Sequence, residues 1–289
     1  MTGRAPEGLA RARAALRRPA LRRALRIAGS ALLIGGAIWA VATLDLTWAD
    51  LSLPHLMLNV FVLTPAMLAL AAVAFRITAG AIGREVSAGQ ALRTVAAANV
   101  AELLPLPGGA VVRGAALVEA GARVGEATHI VLMTALLTLG LTVALSATAL
   151  GLLADPVWHG LGLAALAGVA AILALLSRRV GPGHLAAIVA VRVVTLAVTV
   201  LRLGVAFATL GTVIGWDEAA LYAVAPTLGA TVGIVPAGLG VNEAIAAALA
   251  ALIAASPATA FLAVAMNRAL GLAAGAALVL GRSFWQGRA

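Results

Sequence analysis

The chain of 289 residues is 63% hydrophobic and only 11% charged, with a formal net charge of +9 and a mean hydropathy of +1.07. So little charge over so much chain excludes an ordinary soluble domain and points to an all-α polytopic membrane protein, since Ala/Leu/Val-rich runs without strand alternation argue against an outer-membrane barrel. Without cysteine there is no disulfide framework, thiol nucleophile or thiolate metal site.

In chain order, residues 1–26 carry eight arginines, Arg4, Arg11, Arg13, Arg17, Arg18, Arg22, Arg23 and Arg26. This leader reads as a cytoplasmic topology anchor, or as an amphipathic helix lying on anionic headgroups. An apolar run from Ile27 to Leu44 is the first predicted span. Ala40-Val41-Ala42 resembles a signal-peptide cleavage site, but the charged leader is long for one, and the run reads as retained. A second span covers about residues 56–75. The region of about 88–121 is interrupted by Pro105, Pro107, Gly108 and Gly109. Full spans follow over about 127–153, 157–176 and 185–212. A second interrupted region, about 219–254, carries Pro236, Gly238 and Gly240, and a last span covers about 258–280.

The interrupted regions organise the rest. Proline lacks a backbone donor and glycine has low helix propensity, so neither region can run as one continuous helix. Broken backbone at membrane depth survives only where protein or a water-filled cavity satisfies it. If both regions are re-entrant, one side of the membrane receives the leader, Arg76, Arg84, Arg123, Arg178, Arg179, Arg282 and Arg288. The other side receives Asp45, Asp50, Asp155, Asp217 and Glu218 and no arginine. That asymmetry predicts both termini in the cytoplasm, with Ala122 reachable from inside and Ser256 from outside. The expected fold is about six full transmembrane helices plus two oppositely oriented re-entrant hairpins. A first half, 27–153, is followed by a second, 154–289, in inverted topology, a plan common among transporters.

Two motifs carry a resemblance. Asn99-(x5)-Pro105-x3-Gly109-x3-Arg113, followed by Pro236-x-Gly238-x-Gly240-x2-Glu243 and by Arg268, resembles the flippase-like membrane domain of lysylphosphatidylglycerol synthases, a module also found as stand-alone proteins of bacteria and archaea. Where this chain has Pro107 and Ala110, the family often has a basic and an acidic residue. The soluble aminoacyl-transferase domain of the lysyl-lipid members is not in this sequence. The resemblance therefore implies movement of a lipid or lipid-linked headgroup across a cytoplasmic membrane, and no lipid synthesis by this chain.

The residues themselves point the same way. Arg93, Arg113, Arg192, Arg202 and Arg268 fall within predicted membrane segments, where an ionised group faces a cavity or a partner. A guanidinium fork matches phosphate oxygens in a bidentate way, so clustered arginines suit a phospholipid or polyprenyl-phosphate headgroup. Arg93 is expected to snorkel to the interface, and Arg192 admits either reading. Arg113, Arg202 and Arg268 are candidate substrate ligands, with structural pairing to Glu102 or Glu243 as the alternative. Glu243 is either a counter-ion or the carrier of a coupling proton. Asn99, Asn242 and Asn267 are candidate headgroup ligands or helix–helix contacts. His55, His129, His159 and His184 show no ligand spacing, so no metal and no cofactor are expected. No nucleic-acid partner is expected either, because the positive charge flanks membrane segments. Besides a lipid translocase, two readings stay open: an intramembrane enzyme acting on a lipid phosphate, for which no nucleophile or acid/base set stands out, and a non-transporting membrane partner of a glycosyltransferase or lipid synthase.

Overall fold

The computed structural model describes residues 19–44, 47, 50–102, 108–232 and 240–286, with the backbone alone over 19–30, 230–232 and 281–286. Among the described residues all regular structure is helical. Helix α1 (Pro19–Leu44) contains the first predicted span, and its part from Ala31 to Leu44 is apolar. In the loop that follows, the Thr47 amide and hydroxyl donate to Asp50 Oδ2 at 2.8 and 2.7 Å. These two donors hold the exposed Asp50 carboxyl below its ordinary range.

Leu53–Gly80 is one apolar rod of 28 residues, built from α2 (Leu53–Leu58), a π-helical turn (Asn59–Leu63) and α3 (Thr64–Gly80). Pro65 accounts for the π turn: it offers no N–H, and the Thr64 amide reaches back five residues to the Asn59 carbonyl. Helix α4 (Ala88–Ala101) opens with a capping box between Ser87 and Gln90 at 3.0 and 3.2 Å. It is followed by α5 (Gly108–Glu119), α6 (Val124–Leu153), α7 (Trp158–Ser177) and α8 (Pro182–Thr209). The second interrupted region holds three helices, not the two arms expected: α9 (Trp216–Tyr222), α10 (Val224–Val232) and α11 (Val241–Leu252). Pro226 explains the extra break, because its ring would clash with the Tyr222 carbonyl in a continuous helix. Helix α12 (Pro257–Gln286) closes the chain's described part.

Among the described residues five helices are long and apolar enough to cross a membrane: Leu53–Gly80, Val124–Leu153, Trp158–Ser177, Pro182–Thr209 and Pro257–Leu280. The molecule is a multi-pass helical membrane protein. Ala122, expected to be reachable, is buried at 6% exposure, because its amide folds back onto the Leu117 carbonyl at 3.0 Å.

The packing has an internal two-fold pattern. Exchanging α1, α3, α4, α5 and α6 for α7, α8, α9–α10, α11 and α12 maps the main contacts onto one another. Thus α1 packs on α12 as α7 packs on α6, and α3–α4 is matched by α8–α9. Likewise α4–α5 is matched by α10–α11, α4–α12 by α9–α6, and α5–α6 by α11–α12, while α3 meets α8 at the centre. Two main cores result, beside a small cluster of Ala40, Ala258 and Phe261. One gathers α4, α5, the end of α3 and the beginnings of α6 and α8 around Leu117, Ile130 and Ile188. The other gathers α9 to α11 with the far ends of α6 and α8 around Leu150, Phe207 and Tyr222. Helix α6 has 30 residues, about 45 Å, so the two short-helix assemblies dock near opposite ends of it.

Candidate functional site

Between the two cores the helices carry polar groups instead of packed hydrocarbon. The first pair of short helices meets backbone to backbone. A Cβ at Gly108 would run into the Ala101 carbonyl, and one at Gly109 would lie 2.8 Å from Glu102 Oε1 and 3.2 Å from the Ala98 carbonyl oxygen. The two glycines let α5 approach α4 and seat the Glu102 carboxylate at its start. Arg113 is five residues after Gly108, little more than one turn along the same helix. Its Nη2 lies 3.7 Å from Glu102 Oε1, and both side chains are half-buried.

The second assembly presents the tighter pair. Gly240 is left-handed, with φ +76°, and starts α11. Three residues on, Glu243 is 0% exposed and accepts from Arg268 Nη1 at 2.8 Å. Its second oxygen, Oε2, is buried with no hydrogen-bond partner among the described residues. Asn242 packs its amide against Gly229 of α10, where a Cβ would collide with Oδ1.

Helix α12 joins the two assemblies. Arg268 lies midway along the Pro257–Leu280 span, paired with Glu243 on one side and within electrostatic range of Glu102 on the other. One face further on, Gly275 receives Asn99 of α4, with a Cβ there 3.3 Å from that of Asn99. Thus the structure brings Arg113, Arg268, Glu102 and Glu243 into one band, and sets Asn99 and Asn242 at helix–helix seams beside it. Pro105, Pro107, Pro236 and Gly238 lie outside the described residues.

Arg202 belongs to a different group and meets neither carboxylate. Its Nε donates to Asn59 Oδ1 at 3.3 Å, and Nη2 donates to Thr64 Oγ1 at 3.1 Å and to the Asn267 carbonyl at 3.2 Å. Asn59, 0% exposed, donates through Nδ2 to Asn267 Oδ1 at 2.8 Å. The π turn aims Asn59 and Thr64 at the guanidinium, and neither residue stood out in the sequence. The only signal was an Asn six residues before a Pro inside an apolar run, which marks a bulge.

Arg192 resolves toward the interior. It lines a cavity of about 50 Å³ together with Thr138, Thr142, Thr195, Thr199 and Thr227, room for a few waters. Its Nε is buried without a hydrogen-bond partner among the described residues, and the side chain feels the charge of Arg113. Four of the threonines spend their protons inside the helices: Thr142 donates to Thr138 O at 2.7 Å and Thr199 to Thr195 O at 2.9 Å. Thr138 and Thr195 donate likewise to Thr134 and Val191 carbonyls. Their oxygens remain as acceptors toward the cavity, which suits water. Arg93, in contrast, is exposed near the start of α4.

Among the described residues Arg113 and Arg268 pair with Glu102 and Glu243, Arg202 is held by neutral groups, and Arg192, inside the Pro182–Thr209 span, lies near Arg113 with no carboxylate of its own. Uncompensated positive charge at such depth is costly, and a ligand that relieves it carries negative charge. No group of three or more His, Asp or Glu side chains with metal-site geometry occurs among the described residues. A search of known protein families and of curated proteins finds no match to the chain.

Proposed function

We propose that the protein moves an anionic phospholipid or a polyprenyl-phosphate-linked headgroup across a bacterial or archaeal cytoplasmic membrane, as a lipid translocase resembling the flippase-like domain. In this reading α1 and the five long helices are six spans, α4–α5 and α9–α11 are re-entrant hairpins from opposite faces, and both termini are cytoplasmic. The observation that carries the proposal is the band of three arginines, Arg113, Arg192 and Arg268, against two carboxylates, set between two short-helix assemblies that dock at opposite ends of α6. Guanidinium forks bind phosphate oxygens in a bidentate way, and an excess of one positive charge over the two carboxylates matches a phosphodiester. The acyl or prenyl tails would stay in lipid while the headgroup crosses along the band. The two-fold contact pattern supports alternating access, since each hairpin's first arm leans on the other half's last helix.

The test is headgroup translocation in proteoliposomes, read with native mass spectrometry of retained lipid. Arg192→Gln is the cleanest variant, because it leaves no carboxylate stranded, and Arg113→Gln removes a half-buried pair. Both should insert and purify as the parent does, yet lose anionic-lipid retention and translocation. Normal translocation by both variants would remove the arginine band from the account.

A further inference from the structure

A second site lies at the other end of α4. The end of α3, the link through residues 81–87, the start of α4 and the first turns of α8 enclose an open cleft of about 730 Å³, within the range of about 300–1,000 Å³ usual for small-molecule sites. Its lining is graded. The walls deeper along the helices are Val73 and Ile77 of α3 and Ala187 of α8. The outer end carries Arg76, Arg84, His184, Ser87 and Gln90, with Glu85 as the single acid. Arg76 is fixed there by donating through Nε to the Val86 carbonyl at 3.1 Å, which leaves its terminal nitrogens for a ligand. Arg84 keeps a buried Nε without a hydrogen-bond partner among the described residues. A Cβ at Gly80 would sit 3.4 Å from His184 Nε2, so the glycine lets the imidazole pack against the end of α3.

An apolar depth beneath a cationic rim, at the ends of membrane-crossing helices, is the shape of an amphiphile with an anionic head. We infer that this cleft binds one anionic phospholipid of the leaflet on the arginine-rich side, its phosphate between Arg76 and Arg84 and its glycerol and proximal chains along Val73, Ile77 and Ala187. The site is separate from the arginine band: Gln90 and Glu102 are twelve residues apart on α4, about 18 Å. It does not rest on translocation, because a lipid held here need not be moved.

The test uses the full chain in nanodiscs and native mass spectrometry, with phosphatidylglycerol, phosphatidylcholine and inorganic phosphate as probes. The parent should retain one phosphatidylglycerol more than R76Q/R84Q does, with at least roughly tenfold weaker binding in that variant, which loses both charge-assisted contacts. R123Q, which removes an exposed arginine outside the cleft, should bind as the parent does. R113Q/R192Q should lose the lipid of the arginine band and keep this one, so the two sites fail or stand separately. Retention by R76Q/R84Q equal to the parent overturns the assignment. Displacement by inorganic phosphate as readily as by phosphatidylglycerol also overturns it, since the ligand is then a free phosphoryl group and not a lipid. If R76Q/R84Q does not insert, R76Q with H184A decides by the same criteria, because neither residue touches the loop at Gly121 where Arg84 packs.

Discussion

Removing Arg268 should destabilise the protein far more than removing Arg268 and Glu243 together. The two side chains meet at 2.8 Å, with exposures of 13% and 0%. At that distance and an effective dielectric near 20, the direct attraction is about 6 kcal/mol, most of it offset by the desolvation of both groups. Breaking such a pair from one side costs about 3–5 kcal/mol, because the remaining charge stays buried, whereas replacing both by apolar groups of similar volume is close to neutral. The exposures also predict an asymmetry. Arg268→Met strands a carboxylate with no access to solvent, while Glu243→Leu leaves an arginine whose long stem can carry its charge toward the polar band. Arg268→Met should therefore sit near the top of that range and Glu243→Leu near its bottom. The double variant Arg268→Met/Glu243→Leu should recover most of the loss. Unfolding in mixed micelles, titrated with a denaturing detergent and followed by tryptophan fluorescence, gives the three free energies of the cycle. If the double variant equals the sum of the singles within about 0.5 kcal/mol, the residues are not coupled, and the pair holds nothing together.

Two more outcomes follow from the geometry. Gly108→Ala drives a Cβ into the Ala101 carbonyl, whereas Gly114 of the same helix has nothing within 4 Å. Gly108→Ala should lose at least about 1–3 kcal/mol in the same unfolding assay, and Gly114→Ala should be neutral or slightly stabilising; equal effects would mean that α4 and α5 do not meet at this glycine. The chain has no cysteine, so single introduced thiols report sidedness. Val124 is 68% exposed and replaces buried Ala122 as the position to label. Val124→Cys should react with an impermeant reagent only from inside, and Ser256→Cys, at an exposed residue, only from outside. Reaction of both from one side would make one hairpin a full crossing and end the inverted repeat.

Much of the architecture was legible because a bilayer imposes long apolar runs, and every predicted full span after the first lies largely within one long helix. Composition alone also located the two interruptions, since proline and glycine act locally. What escaped was local in sequence but needed three dimensions to interpret. Pro226 splits the second assembly's first arm, and Pro65 turns a helix into a π bulge that points Asn59 at Arg202. Neither proline stood out in the sequence. Glu102 and Glu243 were named as alternative partners for the arginines, and they pair with Arg113 and Arg268, but the partners of Arg202 could not be read. Asn59 and Asn267 are 208 residues apart, and nothing in either neighbourhood announces the other. Arg202 looked like a partner for Glu102 or Glu243 because both are acids, yet three neutral groups hold it.

The position of α12 explains why the charged residues are spread over so many elements. Arg268 is bonded to Glu243 of the second half and lies within electrostatic range of Glu102 of the first. Asn99 of the first half packs against Gly275 two turns further along the same helix. Rocking of one half against the other therefore changes the distance from Arg268 to Glu102, while Glu243, in the same half as Arg268, moves with the guanidinium. Glu243 keeps the guanidinium paired as Glu102 approaches or withdraws, so the cation is never left alone at membrane depth, which keeps the cost of the movement well below that of exposing a bare charge. An anionic headgroup arriving between Arg113 and Arg192 would compete with Glu102 for Arg113 and so bias that movement. In a translocase that is the coupling required: the cargo and the protein's own carboxylates compete for the same arginines, so occupancy and conformation cannot vary independently.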